Sequence, residues 1–139
     1  LNIPDTSDRD SLFQAEARRC KDILEKINTH KENRHFCIFD ELYSGTNPND
    51  AVLCATLYLK GLIQHKDDVD FILTTHYIQL CEYFNKEKYI NDLVNIKMNV
   101  NVKDEDIEYT YKIKDGISYV HGGKKVLKDL DYPSYLYEL

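Results

Sequence analysis

His35-Phe36-Cys37-Ile38-Phe39-Asp40-Glu41 is the stretch that decides the fold. A short, mostly apolar run leads straight into two carboxylates. The run is too short for a buried helix. Apolar residues on successive positions mark a strand covered on both faces, as at the centre of a parallel or mixed sheet. Two adjacent acids cost solvation and repel each other, so a strand end rarely carries them without a reason. In open α/β sheets the ligand site lies beyond the carboxyl ends of the strands. The side chains of Asp40 and Glu41 diverge in strand geometry. One can then hold Mg2+ through water while the other orients an attacking water. A solvated loop after a strand is the competing reading.

Working outward, Tyr43-Ser44-Gly45-Thr46-Asn47-Pro48-Asn49-Asp50 reads as a turn that opens a helix. Asn47 suits the cap, Pro48 the first helical position and Asp50 the acid of a capping box. That helix is expected to reach about His65, with Val52, Leu53, Ala55, Thr56, Leu59 and Leu62 inward. Residues 70–75 form a second buried strand that ends at His76, and a short helix follows over 78–86. A His at that strand end can touch the γ-phosphate of a nucleotide, although a lone His is also a common structural residue. Upstream, residues 11–30 have helical periodicity, with Leu12, Phe13, Ala17, Cys20, Ile23, Leu24 and Ile27 on one stripe. Ser7 and Ser11 lie at its start, where hydroxyls and free N–H groups make an anion site or a plain N-cap. The last third predicts a β-hairpin from residues 94–102 and 107–113. A helix is expected over 124–130, and another after Pro133. No linker or repeat interrupts the order.

Composition excludes several classes. The 139 residues suffice for one domain or a large piece of one, and 42% hydrophobic content supports a core. A net charge of −6 makes this chain a poor grip for a phosphate backbone, and no DNA-binding residue is assigned. No apolar run is long enough to span a bilayer, so no membrane partner is expected. Cys20, Cys37, Cys54 and Cys81 form no CxxC pair. Free buried thiols in a reducing, intracellular compartment are the expectation. Leu1 opens without Met or a signal-like core, as expected of a piece of a longer chain.

These segments together resemble the MutS family. Ser11-Leu12-Phe13-Gln14-Ala15-Glu16 is similar to its signature run, Ser-Thr-Phe-x-x-Glu at the start of a helix. Phe39-Asp40-Glu41-Leu42-Tyr43-Ser44-Gly45-Thr46 is similar to its Walker B strand and D-loop. Asn47-Pro48-Asn49-Asp50-Ala51 continues the match. Thr75-His76-Tyr77 is similar to its switch segment, and Tyr111 to Ser118 with Tyr132-Pro133 to its tail. MutS homologues of large DNA viruses are the expected cousins.

The resemblance implies an α/β fold of the ABC-type P-loop NTPase kind, with mostly parallel central strands flanked by helices and a C-terminal β-hairpin. Residues 1–139 would be the C-terminal portion of the ATPase domain. No Gly-x-x-x-x-Gly-Lys-Ser/Thr occurs in the chain, so a Walker A loop would precede Leu1 or be missing. By resemblance Asp40 binds Mg2+ through water, Glu41 is the general base and His76 contacts the γ-phosphate of ATP. Ser44, Gly45 and Thr46 would cross to a second copy or a paralogous MutS-type subunit. Ser11 and Ser7 would meet the partner's nucleotide in trans, and DNA would be held by other domains of the parent. Two departures bear on this: Ser7-Asp8-Arg9-Asp10 lacks the usual Gly, and Asp8 adds a charge that repels phosphate. Two rivals remain. A chromosome-maintenance ABC head would need a Gly-rich signature and a coiled coil, and neither occurs here. A non-catalytic regulatory or interaction module would fit Asp8 and the missing Walker A, but it gives no reason to keep Asp40, Glu41 and His76.

Overall fold

The computed structural model describes residues 12–103 and 106–136. The elements in order are α1 (Leu12–Thr29), β1 (His35–Asp40), α2 (Pro48–Gln64), β2 (Val69–Thr74), α3 (Ile78–Phe84), β3 (Ile96–Lys103), β4 (Asp106–Asp115), α4 (Gly123–Asp129) and a 3-10 turn, Ser134–Leu136. The chain divides into two compact units, one ending at Leu93 and the other beginning at Val94. That division carries no Pro-, Gly- or Ser-rich signal, so the sequence reads as continuous across it.

In the first unit β1 and β2 pair in parallel, from His35 opposite Val69 to Asp40 opposite Thr74. Parallel neighbours need a long crossover, and α2 lies in that connection. Asn47 caps α2 as its sequence predicts. Its Oδ1 accepts from the Asp50 N–H at 3.0 Å, and Pro48 fills the first turn. Ala51, Ala55, Tyr58, Leu59 and Leu62 make the buried stripe of α2. They pack with Cys20 and Ile27 of α1, Phe39 of β1, Val69 of β2, and Leu80 and Phe84 of α3. Leu53, expected inward, is 56% exposed. At about 100° per residue it falls opposite the side that holds Ala51, Ala55 and Leu62.

The expectation of a strand covered on both faces is corrected. Phe39 is buried, whereas Phe36 is 63% and Ile38 68% exposed. Phe39, Cys37, Phe71 and Leu73 face the helices. Ile72 shares the open face with Phe36 and Ile38. Among the described residues the parallel sheet has two strands and one helical layer, so only alternate residues find cover.

The second unit contains the expected hairpin. β3 and β4 pair antiparallel, with an irregularity between Asn99 and Val100. Asn99 faces Lys112 and Val100 faces Tyr109, so Thr110 and Tyr111 are extra on β4. Tyr111 takes a positive φ of 56° there, and the Thr110 hydroxyl donates to the Asn99 carbonyl at 2.7 Å. Gly116 follows with φ 111°, a conformation that only glycine adopts readily. The helix expected after Pro133 is the short 3-10 turn.

All four cysteines are free. Burial pushes the Cys20 thiol up from its ordinary value, and Cys37, Cys54 and Cys81 are raised for the same reason. Since the thiolate is the nucleophile, brief alkylation of the folded protein at neutral pH is expected to leave Cys20 unmodified. Urea-unfolded protein should take up label at all four. Mass spectrometry of the labelled peptides is the check, and early modification of Cys20 would mean that α1 is not packed as described.

Candidate active site at the strand ends

The parallel register aligns the carboxyl ends of β1 and β2 and so gathers the acids and the His. The ladder runs one residue past β1, where the Glu41 N–H donates to the Thr74 carbonyl at 3.0 Å. The Thr74 hydroxyl donates to Asp40 Oδ1. Glu41 Oε1 lies 3.1 Å from His76 Nδ1, and both side chains are about half exposed. The His76 ring also packs on Tyr77, with centroids 4.2 Å apart. Asp40, Glu41 and His76 are thus brought together, open to solvent.

Beyond Glu41 the chain turns sharply. Glu41 has φ 48° and Tyr43 φ 62°. The left-handed region costs a non-glycine residue roughly 1–2 kcal/mol, and such outliers persist only where the surroundings hold them. Here the hold comes from α1. Glu16, only 5% exposed, accepts from the Tyr43 N–H through Oε1 at 2.6 Å. The Phe13 and Tyr43 rings pack at 5.7 Å. Burial raises the Tyr43 phenol well above its ordinary value, so it stays neutral.

Ser44 and Gly45 are exposed in the turn, and Thr46 is half-buried. A Cβ on Gly45 would sit 3.1 Å from Leu12 Cδ2. Leu12 is half exposed and can give way slightly, so Gly45→Ala is expected to be mild. Gly45→Val overpacks this contact and is expected to cost about 1–3 kcal/mol, read as a lower denaturation midpoint. An unchanged midpoint would mean that the turn does not rest on Leu12. Ser7 and Ser11, expected at the anion site, lie outside the described residues, as do Asp8 and Asp10.

Three residues that were assigned no individual role from sequence belong to this site. Thr74 is identified by register alone. Tyr43 gives no local sign of its positive φ, since it is neither Gly nor Asn. Glu16 did leave a trace, as the last residue of the Ser11–Glu16 run that resembles the family's signature.

Asp40 with the Thr74 hydroxyl is a hard-oxygen donor pair. Among the described residues no group of three or more His, Cys, Asp or Glu could hold a metal on protein ligands alone. One carboxylate with a neighbouring hydroxyl fits Mg2+, which keeps several waters and takes further ligands from substrate phosphates. No described helix is long and apolar enough to cross a membrane.

Residues 4–138 match the family model for MutS domain V. The endonuclease MutS2 of Clostridium novyi (strain NT) is 30% identical over 116 residues, covering 84% of this chain and 14% of that protein. The endonuclease MutS2 of Clostridium botulinum (strain Okra / Type B1) is 29% identical over the same shares. The DNA mismatch repair protein MutS of Aquifex pyrophilus is 26% identical over 125 residues, 78% of this chain and 14% of that protein. The chain therefore spans about a seventh of the length of these curated relatives. The chain belongs to the MutS family, and nearly all of it corresponds to MutS domain V.

Proposed function

We propose that this chain supplies the strand-end half of a composite ATP-hydrolysing site in a MutS-type dimer, with turnover coupled to the clamping of DNA by other parts of the protein. One observation carries the reading: Glu41 is held by His76 at 3.1 Å beside Asp40, at the aligned ends of two parallel strands. Residues 1–139 are then the C-terminal portion of an ABC-type P-loop ATPase domain. The open apolar face of Phe36, Ile38 and Ile72 supports this, because such a domain would bury it under a second layer.

The chemistry follows from the residues. Water attacks the γ-phosphorus in line, Glu41 takes its proton, and the bond to the β-γ bridging oxygen breaks to release ADP and phosphate. Glu41 Oε1 is engaged by His76, which leaves the second oxygen for the water. An ionised carboxylate only accepts, so His76 Nδ1 carries the hydrogen of that contact. The opposite ring nitrogen of His76, Nε2, is then the one left to face a phosphate oxygen. Asp40 and Thr74 are the groups that would hold Mg2+, which when bound offsets phosphate charge. Ser44, Gly45 and Thr46 face a second copy or paralogous subunit, and Ser11 and Ser7 meet that partner's nucleotide.

The test is ATP hydrolysis by the natural full-length protein, with Glu41 present or replaced by Gln. Mg2+-dependent turnover that Glu41→Gln abolishes supports the reading. Undiminished hydrolysis removes Glu41 from its role. Absence of turnover in the unaltered protein favours a regulatory module that keeps the fold.

A further inference from the structure

We propose that Glu16 is a positioning residue, which fixes the Glu41–Tyr43 turn and thereby couples the start of α1 to the hydrolytic carboxylate. Glu16 is the one charged residue among the buried side chains described. A carboxylate is costly to bury unless a specific partner compensates it. Its partner is a backbone N–H, that of Tyr43, at 2.6 Å, a charge-assisted bond. That N–H belongs to a residue with φ 62°, two positions after Glu41 with φ 48°.

The contact is not isolated. Along α1, Leu12 lies under Gly45, Phe13 packs at a tilt against the Tyr43 ring and Glu16 takes the Tyr43 N–H. One face of one helix thus holds Tyr43 by backbone and ring. The first two turns of α1 and the turn after β1 must therefore move together. Any movement of the helix start shifts the Tyr43 backbone and re-aims Glu41. Ser11, which precedes Leu12 in the sequence, is the residue that the proposed function assigns to the partner's nucleotide. Occupancy of that site would reach this subunit's own base through Glu16. This step rests on the function proposed above, whereas the hold on the turn does not.

The experiment compares Glu16→Ala and Glu16→Gln with the unaltered natural full-length protein, with two readouts. Glu16→Ala is expected to lower kcat by about 10²-fold, the scale of a misplaced reacting group, with KM changed by no more than about twofold. The Tyr43 amide, freed from its acceptor, is expected to exchange its hydrogen at least about tenfold faster, while the amides of β1 and β2 stay protected. Glu16→Gln keeps an acceptor oxygen and is expected to restore slow exchange and most of kcat. An unchanged kcat in Glu16→Ala overturns the coupling. A loss that Gln does not rescue, with faster exchange throughout α1, β1 and β2, reduces Glu16 to a packing residue. If the unaltered protein hydrolyses no ATP, or Glu41→Gln hydrolyses it normally, the proposed function fails instead. The exchange of the Tyr43 amide still decides whether Glu16 holds the turn.

Discussion

Glu41→Gln in the natural full-length protein is expected to lower kcat for ATP hydrolysis by about 10²–10⁴-fold, the usual contribution of a positioned general base. Gln keeps the size of the side chain and an oxygen for the His76 contact, now 3.1 Å from Glu41 Oε1. It cannot take a proton. Binding should therefore survive while chemistry stops, and KM for ATP should stay close to its unaltered value. Steady-state turnover together with equilibrium nucleotide binding separates these effects. A parallel loss of binding would point to a structural role for Glu41 in the turn. The contrast with Glu16→Ala is informative, because that variant keeps the base and changes only its placement.

Phe39→Ala is expected to destabilise the fold by about 3–5 kcal/mol, the range for truncating a buried aromatic residue. Phe39 is 1% exposed and meets the Tyr58 ring edge-on at 5.5 Å and the Phe71 ring at 6.5 Å. Such a cost is a large part of the 5–15 kcal/mol that typically holds a domain together. Phe36→Ala, on the same strand but facing the open side, is expected to change the 139-residue chain by no more than about 0.5 kcal/mol. Urea denaturation of both variants is the measurement. Equal losses would contradict the one-sided sheet. In the natural full-length protein, a large cost for Phe36→Ala would reveal a second layer over that face.

Much of the fold was legible because local patterns and tertiary packing agree. The stripe from Phe13 to Ile27 made α1, Asn47-Pro48 started α2, and the β-rich last third made the hairpin. Asp40, Glu41 and His76 stood out as polar groups at the ends of apolar runs, and the parallel register places them side by side. Burial of individual faces was less legible. A continuous apolar run signals two covered faces, but cover depends on what lies above the sheet. Phe36 and Ile38 are open while Phe39 is buried.

By itself, then, the sequence determined the order of elements, the helix cap and the identity of the acids and the His, all of which rest on neighbouring residues. Only the tertiary structure decided that Thr74 binds Asp40, that Tyr43 is held in a left-handed conformation and that Glu16 holds it there. Those facts join residues up to 34 positions apart. Contacts of that kind depend on strand register and on which face of a helix is buried, and no local spacing records either.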